Sequence, residues 1–153
     1  MNSRNEARIL IIEDNDALRV MLFTVLRYQP LGVDTAATGD EAVEKILSCD
    51  YAVILIDMNL PEQQSEVFLR RFSEERPDAT SFIIAVRDPN KDVVIDPDIV
   101  DAVLNKPLEI DTLAEVAREC ALVVPQPEEP MTACPPAESD VRAMMDRSGS
   151  YTN

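Results

Sequence analysis

Two rhythms of apolar residues alternate along the first 124 residues of the chain. The first is a short continuous run bounded by polar or acidic residues: RILII at 8 to 12, Val33 to Ala37, Tyr51 to Ile56, SFIIAV at 81 to 86, and the brief Ala102 to Asn105. Runs of this length, rich in branched side chains, read as buried parallel strands. The second rhythm has spacings of three and four. It is carried by Leu18, Met21, Leu22, Val25 and Leu26, by Ala42, Val43, Ile46 and Leu47, by Val67, Phe68, Leu69 and Phe72, and by Ile110, Leu113, Val116, Ala117 and Cys120. Each set makes one apolar stripe on a helix. Pro30 with Gly32, and later Pro77, mark where two of these helices end.

Strands alternating with helices predict a doubly wound α/β domain around a five-stranded parallel sheet, because each parallel crossover must travel back over a face of the sheet. One interval resists this scheme. RDPNKDVVIDPD, with prolines at 89 and 97, sustains no helical period, so the fourth helix is expected to be shortened or irregular. From Pro125 the composition changes again, to five prolines in twelve residues with almost no branched apolar side chains. The expected organisation is a domain over 1–124 and a disordered, Pro-rich acidic tail over 125–153, with a weak helical turn around Val141 to Met145.

Charge narrows the chemistry. With 29 acidic against 14 basic residues the net charge is -15, which repels phosphodiester backbones and argues against direct nucleic-acid binding. The chain has no histidine, so neither the commonest general base nor the commonest metal ligand is available. Cys49, Cys120 and Cys134 show no CxxC spacing and an odd count. They are read as unpaired thiols, the first two partly buried on helices, in a reducing, cytoplasmic setting. No apolar run approaches the roughly 20 residues of a membrane span.

In a doubly wound sheet, ligands bind outside the carboxyl ends of the strands. Glu13 and Asp14 come directly after the first strand, Asp57 ends the third and Lys106 comes directly after the fifth, all on that edge. Gathered carboxylates repel one another unless a cation sits among them, and Mg²⁺ suits an all-oxygen set.

These pieces, IIEDN at 11–15, LIDMNLP at 55–61 and LNKPLEIDTL at 104–113, together resemble the receiver domain of two-component response regulators over residues 7 to about 123. The resemblance implies a flavodoxin-like topology, with Asp57 as phosphoacceptor. It makes Glu13 and Asp14 the acidic metal pair for Mg²⁺, and Asn59 a backbone-carbonyl ligand. Lys106 would pair with the phosphoryl group, and the Lys106–Pro107 bond would be cis. It implies a sensor histidine kinase or histidine phosphotransfer protein as donor. The expected protein is a stand-alone phosphoacceptor rather than a turnover enzyme, acting on a downstream protein by contact.

Two positions depart from the family. Where it carries Thr or Ser at the end of strand four, this chain has Arg87, and where it has an aromatic three residues before the lysine, this chain has Val103. Arg87 has three readings: it binds the phosphoryl oxygens, it pairs with Asp57 beforehand, or it is a plain surface residue. The interval from Arg87 to Lys106 is also short by about three residues, close to one helical turn. Ser65 replaces a frequent glycine, which leaves the shape of its loop open. The rival function is a degenerate receiver serving as a phosphorylation-independent interaction module. A phosphatase of the haloacid dehalogenase type needs a second aspartate where Asn59 stands, and is set aside.

Overall fold

A computed structural model describes residues 7–28, 30–128 and 131–141. Five strands, β1 (Arg8–Ile12), β2 (Gly32–Ala36), β3 (Val53–Asp57), β4 (Phe82–Arg87) and β5 (Ala102–Asn105), form one parallel sheet in the order β2-β1-β3-β4-β5. Among the described residues, four helices of ten residues or more accompany them: α1 (Asp16–Leu26), α2 (Gly39–Ser48), α3 (Gln64–Glu75) and α4 (Ile110–Val123). Every residue of β3 is buried, as its unbroken apolar run requires of a central strand covered on both faces.

Side chains alternate across the sheet and build two cores. Leu10, Ile12, Ile54, Ile56 and Ile83 pack under α2 and α3, where Phe68 is fully enclosed. Ile9, Ile11, Val53, Leu55 and Ile84 pack under α1 and α4. This two-sided cover is the doubly wound arrangement expected from the sequence. α1 starts at Asn15, whose side chain accepts from the Leu18 N–H, and α2 starts at Thr38, whose hydroxyl accepts from the Glu41 N–H. In α1 the buried stripe includes Phe23, while Met21 is half exposed, so the stripe is rotated from the predicted one.

Residues 88–101 form turns and no helix. Val93, Ile95 and Ile99 nevertheless pack against the α2–α3 core, and Val100 is buried, so this segment covers the sheet where a further helix would lie. Asp101 closes it by accepting from the Ile83 N–H at the start of β4.

The expected disordered tail is corrected over 131–141, which lies along the free edge of β2; residues 142–153, including most of the suggested Val141–Met145 turn, fall outside the described residues. The reason is polar rather than apolar. β2 is an edge strand, and the outward N–H groups of Val33 and Thr35 donate to Ser139 Oγ (2.9 Å) and Glu138 Oε1 (2.6 Å). Ala137 is buried close to Gly32, where an added Cβ would come within 3.0 Å of it. Cys49 and Cys134 are joined in a disulfide, which corrects the reading of both as unpaired thiols, whereas Cys120 is free. Among the described residues no helix is long and apolar enough to cross a membrane.

Candidate functional site

The carboxyl ends of β1 and β3 bring the predicted acidic residues together. Carboxylate oxygens of Glu13, Asp14 and Asp57 all lie within 4.8 Å of one another, Glu13 and Asp57 buried and Asp14 exposed. The backbone holds them there: Glu13 N–H donates to Ala36 O of β2 at 3.0 Å, and Met58 N–H donates to Val86 O of β4 at 2.8 Å. Arg19 Nη1 donates to the Glu13 carbonyl, which fixes the turn between β1 and α1.

Lys106 comes from the far side. Its Nζ lies 3.2 Å from both Oδ1 and Oδ2 of Asp57, and Oδ1 also accepts from the Asn59 N–H at 2.9 Å. The Lys106–Pro107 bond is cis, as the resemblance implied. The pair lines a cavity of about 350 Å³ together with the apolar Leu18, Leu22, Leu55, Val86 and Leu108. An apolar lining desolvates Glu13 and Asp57 and strengthens their interaction with the lysine.

Burial pushes the Glu13 carboxyl up to about 8; the Asn15 N–H works against the rise, and the nearby charge of Asp57 adds to it. A site with two buried carboxylates and a third at its mouth is short of positive charge. Its donors are all oxygens, and an exposed side is left for water, the set that a small hard divalent cation takes. Glu13, Asp14 and Asp57 therefore fit Mg²⁺ in chemistry.

Arg87 stands apart. The register sets Asp57 level with Val86, one residue before Arg87, and the Arg87 Nε donates to Asn105 Oδ1 at 2.9 Å across β4 and β5. Among the described residues, the cation paired with Asp57 is Lys106. The suggestion that Arg87 pairs with Asp57 beforehand is corrected on this geometry. Val103 is 40% exposed on the edge strand, without an aromatic ring to turn inward.

Two supporting residues were not assigned these roles in the sequence. Ser65 is buried and its hydroxyl donates to the Asp57 carbonyl at 2.6 Å, so the residue in the glycine position ties α3 to the end of β3. Asn59 Oδ1 accepts from Asp88 N–H at 3.0 Å and links the loops after β3 and β4. Between them, Glu62 and Gln63 both have left-handed backbone (φ 56° and 58°), each at a cost of about 1–3 kcal/mol that such loops carry next to functional sites.

The family model described as the response regulator receiver domain matches residues 9–118, from β1 into α4. The chain belongs to this family. Among curated relatives of the receiver, the transcriptional regulatory protein PmrA of Pectobacterium parmentieri is 30% identical over 117 residues, covering 76% of this chain and 52% of that protein. The transcriptional regulatory protein ResD of Bacillus subtilis is 32% identical over 76 residues, covering 50% and 32%. The chain thus spans 52% or less of the length of these two relatives. A CheY-like receiver domain from Methanospirillum hungatei superposes with a TM-score of 0.62 at 25% identity, covering 74% of this chain and 92% of that one. TrrA from Thermotoga maritima, solved in complex with Mg²⁺-BeF, shares the fold with a TM-score of 0.62 at 23% identity, covering 74% and 98%.

Proposed function

We propose that this receiver accepts a phosphoryl group on Asp57 from a phosphohistidine of a sensor histidine kinase or a histidine phosphotransfer protein. The observation that carries the reading is the placement of Lys106 Nζ 3.2 Å from both Asp57 oxygens, beside three carboxylates within 4.8 Å of one another. An Asp57 carboxylate oxygen attacks phosphorus, the new O–P bond forms as the donor N–P bond breaks, and the imidazole nitrogen keeps the electron pair. Lys106 faces the developing negative charge, while the Asn59 N–H holds Oδ1 in place. Mg²⁺ held by Glu13, Asp14, Asp57 and the Asn59 carbonyl would supply charge neutralisation on the phosphoryl oxygens.

In this reading the chain is a phosphoacceptor in a cytoplasmic signalling pathway, not a turnover enzyme, and its output is a change in affinity for a downstream protein. The test is mass detection of phosphate on the Asp57 peptide after incubation with Mg²⁺ and acetyl phosphate. Absence of label at Asp57, with the protein folded, sinks the proposal.

A second reading draws on Arg87, Val103 and the helix-free segment 88–101: a degenerate receiver that binds its partner without phosphorylation. Titration with beryllofluoride and Mg²⁺ separates the two by NMR. Shifts centred on Asp57 favour the phosphoacceptor, and their absence favours the interaction module.

A further inference from the structure

Segment 131–141 is held along β2 by a set of polar contacts and by one disulfide, Cys49–Cys134. Glu138 is the hub: its Oε1 accepts from Thr35 N–H (2.6 Å) and Thr35 Oγ1 (3.0 Å), its Oε2 pairs with Lys45 Nζ (2.9 Å), and its own N–H donates to Asp34 Oδ1 (2.8 Å). Ser139, buried, accepts from Val33 N–H, and Arg8 Nη2 donates to the Pro135 carbonyl at 2.5 Å. These contacts cover the outward N–H groups of an edge strand, which otherwise stand open to pairing with another chain. The segment has little apolar surface of its own to hold it, Ala137 being its buried apolar side chain.

The two residues of the Cys49–Cys134 bridge differ in exposure. Cys49 is 3% exposed at the end of α2, and Cys134 is partly exposed in the strap itself. Arg8 Nη1 donates to Cys49 Sγ at 3.6 Å, and Asp34 and the Tyr51 hydroxyl close the same cluster, Arg8 to Asp34 at 3.2 Å and Tyr51 to Asp34 at 2.7 Å. A thiolate arriving from solvent meets Cys134, and the electron pair that leaves on Cys49 Sγ comes to rest beside a guanidinium.

We infer that Cys49–Cys134 is a thiol-exchange site whose reduction by a dithiol releases segment 131–141 from the edge of β2. One thiolate of the dithiol attacks Cys134 Sγ, the Sγ–Sγ bond breaks, and Cys49 leaves as a thiolate. The second thiolate of the dithiol then attacks its own sulfur of the mixed disulfide and frees Cys134, and the Cys49 and Cys134 thiolates each take a proton from solvent. The dithiol is oxidised to its disulfide and the protein gains two thiols. Freed of this link, segment 131–141 is held by polar contacts whose groups water can also satisfy and by the single buried Ala137. β2 then presents the Val33 and Thr35 N–H groups.

The test is amide hydrogen exchange on the full chain, oxidised and then treated with dithiothreitol under native conditions, with Cys134→Ser as a permanently open form. The oxidised protein is expected to show one free thiol when denatured without reductant, that of Cys120. Reduction is expected to speed exchange at Val33 and Thr35 by about tenfold or more while Ile54 and Leu55 in β3 keep their rates, and Cys134→Ser is expected to match the reduced protein without any reductant. Three free thiols after oxidation, unchanged exchange at Val33 and Thr35 on reduction, or equal acceleration across β3 would each overturn the inference. Brief exposure to a monothiol gives the direction of attack: the mixed disulfide is expected on the Cys134 peptide, and its appearance on Cys49 overturns the assigned route.

Discussion

The two sides of the site are built to different standards. On the β1–β3 side the two buried carboxylates are held by hydrogen bonds: Glu13 by Ala36 O and the Asn15 N–H, Asp57 by Asn59 N–H on its side chain and Ser65 Oγ on its carbonyl. On the β4–β5 side Arg87 turns to Asn105, Val103 is 40% exposed, and residues 88–101 carry no helix, with Val94 74% exposed. The carboxylates rest on the ends of β1 and β3, which the sheet register places, and Lys106 reaches Asp57 from the end of β5. On the β4–β5 side residues 88–101 form a loop, and loops can be rebuilt without moving a strand end. Under the proposed function, acceptance of a phosphoryl group on Asp57 and its readout would then be separable.

The strongest way to break that separation is at Asp57. Asp57→Asn keeps the shape and removes the nucleophile, and is expected to abolish phosphate on the 53–64 peptide completely in the acetyl phosphate assay. Label persisting at a neighbouring residue would move the acceptor elsewhere on the edge. Next in size is Lys106→Ala, which removes the cation 3.2 Å from both oxygens. Loss of a group that faces developing charge slows such steps by roughly 10²- to 10³-fold. The initial rate of labelling checks this, with Mg²⁺ affinity measured beside it to show that the carboxylates still bind metal.

A smaller effect comes from pH. The Glu13 carboxyl sits at about 8 when folded against 4.5 in the open chain, so between these values the metal-free folded protein holds a proton that the unfolded chain has lost. The stability this contributes is full below pH 4.5 and is lost as pH rises through about 8. Mg²⁺ needs the charged carboxylate, so its affinity moves the opposite way, tightening by up to roughly tenfold per unit below pH 8. Melting temperature against pH, with and without Mg²⁺, should show the two curves diverging as pH rises, and Glu13→Gln should flatten both. Parallel curves in the wild type would mean that Glu13 does not sense the metal.

The charge-handling side was legible because buried parallel strands read as continuous apolar runs and a carboxylate ending such a run has few places to go. Asp57 at the end of VILID and Glu13 after RILII are examples. The direction of Arg87 was not legible, because a long side chain one residue beyond the row of Asp57 can turn to either neighbour, and only the register with Asn105 decides it. Segment 131–141 was misread because its composition lacks the apolar surface by which docking is ordinarily recognised, whereas edge-strand N–H groups, one buried alanine and a disulfide hold it. A trace did exist in GVDTA: Asp34 inside a buried strand needs partners, and it finds Arg8, Tyr51 and the Glu138 N–H.

The finest test of the comparison is Arg87→Ala. Its Nε bond to Asn105 is exposed, so stability should change by less than about 1 kcal/mol. Lys106 already occupies both Asp57 oxygens, so the initial rate of labelling should stay within about twofold of wild type, a difference of about 0.4 kcal/mol in the barrier. The lifetime of the phosphate is the sharper quantity, since a guanidinium freed from Asn105 by the arriving phosphoryl group would hold its oxygens only after transfer. A lifetime changed several-fold with an unchanged rate would assign Arg87 to the readout side. A rate that fell tenfold would instead join the two sides and make acceptance and readout one unit.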